Sequence, residues 1–311
     1  MSIRAKLISL IMARTLRPLF DRVANIAEFR SALAKAERLG AAPPKTITVT
    51  PVIIADRPCE WISAPRATPG QVLLYLHGGG YVAGGLDSHR EIAWRLAEAA
   101  AITVLLVDYR LAPEQPFPAA LEDACACYRY LLDQGYAAPA MHIGGDSAGG
   151  GLALATLLNL KNLGLPLPAS AILLSPWVDL SLSGDSLTGN AATDVMLTSQ
   201  ALHDMAEMYL GGRDARAPLA SPLFGDLRGL PPMLVHASSS ELLRSDAERL
   251  VRLVEAQGGD IVLTLWPHMP HVFQLLAARI PEGRLAISQL AVFLNRHTAS
   301  THSSHRGPSH E

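Results

Sequence analysis

The sequence predicts an α/β protein, a mostly parallel, twisted sheet with helices packed on both faces. Two observations carry that expectation. Short apolar runs, most of them rich in branched residues, occupy 72–76, 102–107, 172–174, 233–235 and 261–265. Helical patterns near 89–100, 118–134, 148–163, 241–257 and 283–297 separate most of these runs. A strand that is apolar throughout is covered on both faces, and strands alternating with helices are joined by parallel crossovers. The 24 glycines and 22 prolines among 311 residues suit many sharp strand–helix connections.

Taken in chain order, residues 1–40 read as helical, with Ile26, Phe29 and Leu33 on one face. Near the start, Arg4 and Lys6 precede an apolar run from Leu7 to Ala13, which imitates a signal peptide. Arg14 and Arg17 end that run early and no small-residue cleavage site follows, so an amphipathic helix is expected. Export or contact with a membrane surface is the alternative. Nothing approaches the roughly 20 apolar residues of a spanning helix. Thr46 to Thr50 alternates and runs through Pro51 into Val52, Ile53 and Ile54, the pattern of an antiparallel edge strand. The β–α rhythm then holds until about 181–225, which is rich in Ser, Gly, Asp and Asn before a short helical pattern at 200–209. That segment reads as an insertion over the top of the sheet. The strand around Ile261 to Leu265 is expected at or near a sheet edge, where pairing with its copy would make a homodimer. The tail from Thr298 to Glu311 is polar and reads as disordered, with His302, His305 and His310 as solvated residues rather than metal ligands.

Composition narrows the function. The chain is 49% hydrophobic and 17% charged, enough for one large domain with a well-buried core. A net charge of −2 without basic runs argues against a nucleic-acid partner. Cys59, Cys125 and Cys127 cannot all pair, and the last two point away from each other on a helix. A reduced, cytoplasmic setting follows as the simplest expectation.

Two glycine-rich segments carry the chemistry. Gly145-Asp146-Ser147-Ala148-Gly149 follows a short strand end at Met141 to Gly144 and opens a small-residue helix. This reads as a nucleophile elbow, a tight strand-to-helix turn that forces the Ser147 hydroxyl out over the sheet edge. A bare glycine-x-serine-x-glycine arises by accident in roughly one chain in ten of this length, so the context decides. Gly184-Asp185-Ser186 lacks both the later glycine and the preceding strand. His77-Gly78-Gly79-Gly80 follows another apolar run and reads as a source of backbone N–H groups for the oxyanion formed when a serine attacks a carbonyl. The pair points to acyl-transfer hydrolysis.

A serine nucleophile needs a base, and the base needs a third group to orient it. In sheets of this type the partners follow in the order serine, acid, histidine. The loop Trp266-Pro267-His268-Met269-Pro270-His271 follows the last apolar strand and offers two histidines. His271 is preferred because Val272 and Phe273 can anchor it; His268 reads as a loop or rim residue. After the strand Met233 to Ala237, Glu241 comes first as acid, while Asp246 is expected to point out from within the next helix. A neutral histidine base predicts loss of rate below about pH 6.

These segments, with Asp108 to Glu114, Ser175-Pro176-Trp177 and His271-Val272-Phe273, resemble the hormone-sensitive-lipase-like (bacterial family IV) carboxylesterases of the α/β-hydrolase superfamily over about residues 45–297. The resemblance implies an α/β-hydrolase fold with an eight-stranded sheet and a serine carboxylesterase working through an acyl-enzyme; an aromatic content of only 5% and the lack of a long apolar run in the cap segment favour short- to medium-chain esters. It implies Ser147 as nucleophile, Glu241 as acid and His271 as base. It also implies an oxyanion hole of Gly79, Gly80 and Ala148, and the serine mechanism needs no metal or organic cofactor. The implied organisation is a helical cap segment at 1–45, a catalytic domain at 46–297 with 181–225 contributing to the cap, and the tail at 298–311. One departure is that many relatives carry aspartate then proline where this chain has Glu241-Leu242. A lactone hydrolase of the same group, a peptidase and a non-catalytic ligand receptor are the competing readings. An epoxide hydrolase would need an aspartate where Ser147 stands.

Overall fold

The computed structural model describes residues 1–37 and 41–298. The expected disordered tail, with its three histidines, lies outside the described residues apart from Thr298. The N-terminal region forms α1 (Ile3–Thr15), α2 (Arg17–Phe20) and α3 (Ile26–Glu37). Ser2 caps α1 by accepting the Ala5 N–H, and Pro18 sits near the start of α2, where its missing N–H costs nothing.

The strands are β1 (Thr48–Ile54), β2 (Arg57–Ser63), β3 (Val72–Leu76), β4 (Thr103–Val107), β5 (Met141–Asp146), β6 (Ser170–Leu174), β7 (Met233–Ser238) and β8 (Ile261–Trp266). They form one eight-stranded sheet in the order β1, β2, β4, β3, β5, β6, β7, β8. β1 and β2 pair antiparallel, as do β2 and β4, and every later pairing is parallel. Pro51 is tolerated because β1 is an edge strand. The other edge is β8, as the sequence led one to expect.

Strand β2 is the element that the sequence pattern did not reveal. Its residues do not alternate, and its hairpin turn is Ala55-Asp56 rather than a glycine-containing pair. Both turn residues have positive φ, the geometry of a two-residue hairpin. The chemistry of the turn is therefore present, but in residues that signal it weakly.

Helices α4 (Leu86–Ala100), α5 (Ala119–Asp133), α6 (Ala148–Asn162), α9 (Arg244–Ala256) and α10 (Pro281–His297) cover the sheet. α7 (Ser186–Gly189) and α8 (Ser199–Leu210) belong to the segment between β6 and β7. Side chains along β3 alternate between two cores. Val72, Leu74 and Leu76 pack with α5 and α6 residues such as Leu121 and Leu152. Leu73 and Tyr75 pack with Ile92 and Leu96 of α4 and Ile287 and Leu290 of α10. A strand buried on both faces needs apolar residues at every position, hence the continuous runs.

Candidate active site

Ser147 stands between β5 and α6 with φ 53° and ψ −122°. For a non-glycine residue this conformation costs on the order of 1–3 kcal/mol, and surrounding structure must hold it. Three backbone bonds do so. The Ser147 N–H donates to Leu174 O at 2.8 Å, while its carbonyl accepts from Gly151 at 3.1 Å and Trp177 at 3.0 Å. The flanking glycines are required by space. A Cβ on Gly145 would run into the carbonyl oxygens of Leu76 and Gly149, and one on Gly149 into those of Leu76 and His77. The Ser-Pro-Trp segment thus braces the elbow from the neighbouring strand.

The structure brings Ser147, His271 and Glu241 together. Ser147 Oγ lies 2.9 Å from His271 Nε2, and His271 Nδ1 lies 2.6 Å from Glu241 Oε2. The other Glu241 oxygen accepts the Ser238 N–H at 2.7 Å, so both carboxylate oxygens are engaged. Helix α9 begins three residues later than the sequence pattern indicates, which leaves Glu241 in a turn at the end of β7. His271 is oriented from behind. Val272 adopts a left-handed conformation, φ 48°, unusual for a branched residue, and its N–H donates to Ser175 Oγ at 3.3 Å.

All three groups are buried. Burial alone would lower the His271 pKa. The hydrogen bond and negative charge of Glu241, with the charges of Asp194 and Asp146, outweigh burial and raise it above the ordinary imidazole value. Asp194 did not emerge from the sequence. Its carboxylate accepts the N–H groups of Met196, Leu197 and Leu242, and burial raises its own pKa. The signal in the sequence is an aspartate two and three residues before its backbone donors Met196 and Leu197, just ahead of α8, and it is weak because the segment around it is irregular. Asp146 is held below its ordinary pKa. Burial opposes that shift, but His89, the Tyr75 hydroxyl at 2.9 Å and His77 outweigh it.

The alternative residues lie elsewhere. His268 is exposed and does not line the cavity that holds Ser147 and His271. Asp246 corrects the expectation that it points outward. It is buried, accepts the Val178 and Asp179 N–H groups at 3.0 Å and pairs with Arg249 at 2.9 Å. It holds the loop after Trp177 rather than bonding to His271; burial, opposed by the Arg249 guanidinium and helped by the neighbouring Asp179 charge, leaves its pKa pushed up to about 7. Ser186 is also buried, bonded to Leu242 O and Ser245 in a structural contact.

Gly79 and Gly80 line the same cavity as Ser147 and His271. Ala148 is the first residue of α6, where a helix leaves the N–H without an intrahelical acceptor. The loop carrying the glycines is tied down by Tyr109, which stacks on His77 at 4.1 Å and donates to its carbonyl at 2.6 Å. Arg30 of α3 reaches the same region, donating to Val82 O, Ala112 O and both Glu114 oxygens. The cavity is about 540 Å³. Met12, Leu16 and Phe20 from the N-terminal helices and Leu202 and Met205 from α8 give it apolar walls. Among the described residues, His203, Asp204 and Glu207 of α8 group closely enough for a cation, but they are outside this cavity and largely exposed.

Residues 73–275 match the family defined by the alpha/beta hydrolase fold. The chain belongs to the α/β-hydrolase family. An acetyl-hydrolase of Streptomyces hygroscopicus is 44% identical over 260 residues, covering 84% of this chain and 85% of that protein. An ethyl acetate hydrolase of Pseudomonas putida is 33% identical, covering 74% of each. Among solved structures, an esterase from the bacterial hormone-sensitive lipase family superposes with a TM-score of 0.86 at 42% identity, covering 91% of this chain and 99% of that one. This α/β-hydrolase is thus of the hormone-sensitive-lipase-like esterase branch. No described helix is long and apolar enough to cross a membrane.

Proposed function

We propose that the chain is a serine carboxylesterase acting on short- to medium-chain esters through an acyl-enzyme. The observation that carries this reading is the hydrogen-bonded relay from Ser147 Oγ through His271 to Glu241, at 2.9 and 2.6 Å. His271 Nε2 takes the Ser147 proton as Oγ attacks the ester carbonyl. Glu241 holds the Nδ1 proton in place and offsets the charge on the imidazolium. The N–H groups of Gly79, Gly80 and Ala148 receive the oxyanion, each donor contributing about 3–4 kcal/mol. The alcohol leaves with the His271 proton, and water repeats the sequence on the acyl-enzyme.

Cavity size and lining support the substrate range. A space of about 540 Å³ with apolar walls suits a small ester and its acyl chain. The names of two similar proteins, an acetyl-hydrolase and an ethyl acetate hydrolase, refer to two-carbon acyl groups. A cytoplasmic setting is supported by three buried, free thiols. A homodimer through β8 is supported by that strand's edge position and its exposed Val262 and Leu265.

Ser147→Ala tests the central role. Hydrolysis of p-nitrophenyl acetate should fall by on the order of 10⁶-fold without loss of folding, and fluorophosphonate labelling should disappear. Turnover surviving near the wild-type rate rejects Ser147 as nucleophile, and a wild-type protein that takes no label is a receptor rather than an enzyme. A series of p-nitrophenyl esters run beside a lactone ranks the substrate classes.

A further inference from the structure

Helix α1 has two apolar faces, and the protein uses only one. Ala5 and Met12 are buried, and Met12 together with Leu16 lines the cavity around Ser147. On the opposite side Ile3, Leu7, Leu10 and Ile11 are 85, 59, 54 and 51% exposed. Their spacing of four, three and one residues puts them on one arc of the helix, about 100° wide. Arg4 and Lys6 fall at the two edges of that arc, and Arg14 lies on it at the C-terminal end; all three are exposed. Residues 1–20 contain four cations and no acidic residue, although the whole chain carries −2. Of these cations Arg17 is turned inward, donating to the carbonyls of Ala191 and Asp194. The carboxylate that approaches α1, Glu282, is engaged by Ser2 at the helix N-terminus.

Four large aliphatic side chains in one exposed stripe are unfavourable in water and mark a surface that meets something apolar. We propose that the outward face of α1 docks the protein on an anionic lipid surface, with Ile3, Leu7, Leu10 and Ile11 entering the headgroup boundary and Arg4, Lys6 and Arg14 meeting lipid phosphates. Charge complementarity selects this occupant. An apolar stripe edged by cations matches a negatively charged bilayer, whereas the same face against its own copy would set cation against cation. A helix is about 10–12 Å across, so lipid under the outer face of α1 would lie one helix diameter from the cavity its inner face lines. The proposal concerns binding and does not depend on the chemistry at Ser147.

Vesicle co-sedimentation tests it without turnover. Wild-type protein should bind vesicles of equimolar phosphatidylcholine and phosphatidylglycerol, bind phosphatidylcholine vesicles at least about tenfold more weakly, and lose binding as salt rises. Leu7→Gln/Leu10→Gln should weaken binding to the mixed vesicles by about tenfold or more, and Arg4→Gln/Lys6→Gln should remove the preference for phosphatidylglycerol. Both variants should keep the wild-type rate on dissolved p-nitrophenyl acetate, since none of these residues lines the cavity. Equal binding by wild type and Leu7→Gln/Leu10→Gln, or no binding by wild type, overturns the proposal. So does a wild-type oligomer that Leu7→Gln/Leu10→Gln converts to monomer, which would make α1 a self-interface.

Discussion

Asp194 grips the backbone of Leu242, accepting its N–H at 2.8 Å, one residue beyond Glu241. The segment between β6 and β7 therefore does more than wall the cavity. It anchors the turn that carries the proposed acid, and it adds a buried negative charge to the field around His271. Asp194→Asn keeps the shape and one acceptor but removes the charge. The acid limb of the pH–rate profile should move to lower pH, with the plateau kcat reduced by less than about tenfold. An unmoved limb would mean that Asp194 acts only as a backbone clamp.

The pH dependence of the wild type follows from the direction of the His271 shift. The base must be neutral to accept the serine proton, and protonation removes it. Because the folded pKa is raised above 6.5, protonation begins at higher pH than for an ordinary imidazole. The kcat/KM profile should therefore rise with pH through a midpoint above 6.5. The sequence alone suggested a fall below about pH 6. A midpoint under 6 would contradict the electrostatic influence of Glu241 and Asp194.

Glu241→Gln and Asp246→Asn separate two buried carboxylates that sequence spacing left in competition. Glu241→Gln disturbs the tautomer of His271 and should lower kcat by about 10³–10⁴-fold. Asp246→Asn should leave kcat within about threefold but destabilise the protein by about 1–3 kcal/mol, because an amide can accept from the Val178 and Asp179 N–H groups or from Arg249 but not from both sides at once. Urea denaturation beside steady-state kinetics reads both effects. A larger kcat loss in the Asp246 variant would reverse the assignment.

Gly149→Ala tests the close approach at the elbow. Its Cβ would meet two backbone carbonyl oxygens, at Leu76 and His77, and neither belongs to a flexible side chain. A stability loss of about 1–3 kcal/mol is expected, with kcat reduced because the His77–Gly80 loop must shift. A variant as stable and as active as wild type would show that the two segments are not tightly apposed.

Met205 governs room beside the glycine loop. A Cβ on Gly80 would overlap the Met205 sulfur, so this side chain sits directly against the proposed oxyanion site. Met205→Ala should raise kcat/KM for p-nitrophenyl octanoate relative to the acetate by roughly tenfold. An unchanged ratio would place the limit on acyl length elsewhere in the cavity.

Much of this architecture is legible in the residues themselves. Continuous apolar runs mark the central strands because both faces are buried, and the glycines around Ser147 mark a turn too crowded for any Cβ. His271 is legible because it follows the last strand just before a pair of apolar anchors, Val272 and Phe273. Strand β2 escaped because its pairing depends on partners distant in sequence and its turn is built from Ala55 and Asp56. Asp246 turns inward against expectation because helical phase tells which way a side chain leaves the axis, not what packs against that side.

The sequence by itself determined the covered parallel sheet and the crowded glycine-flanked turn at Ser147, since each rests on local sterics or short-range periodicity. Only the tertiary structure decided that Asp246 turns inward to the Val178 and Asp179 backbone while Glu241, the carboxylate the sequence favours, meets His271, that Asp194 adds its charge, and that α1 leaves one apolar face uncovered. Those outcomes depend on which side chains approach across tens or hundreds of residues. Electrostatic and packing energies act over ångströms in space, and spacing along the chain does not encode that distance.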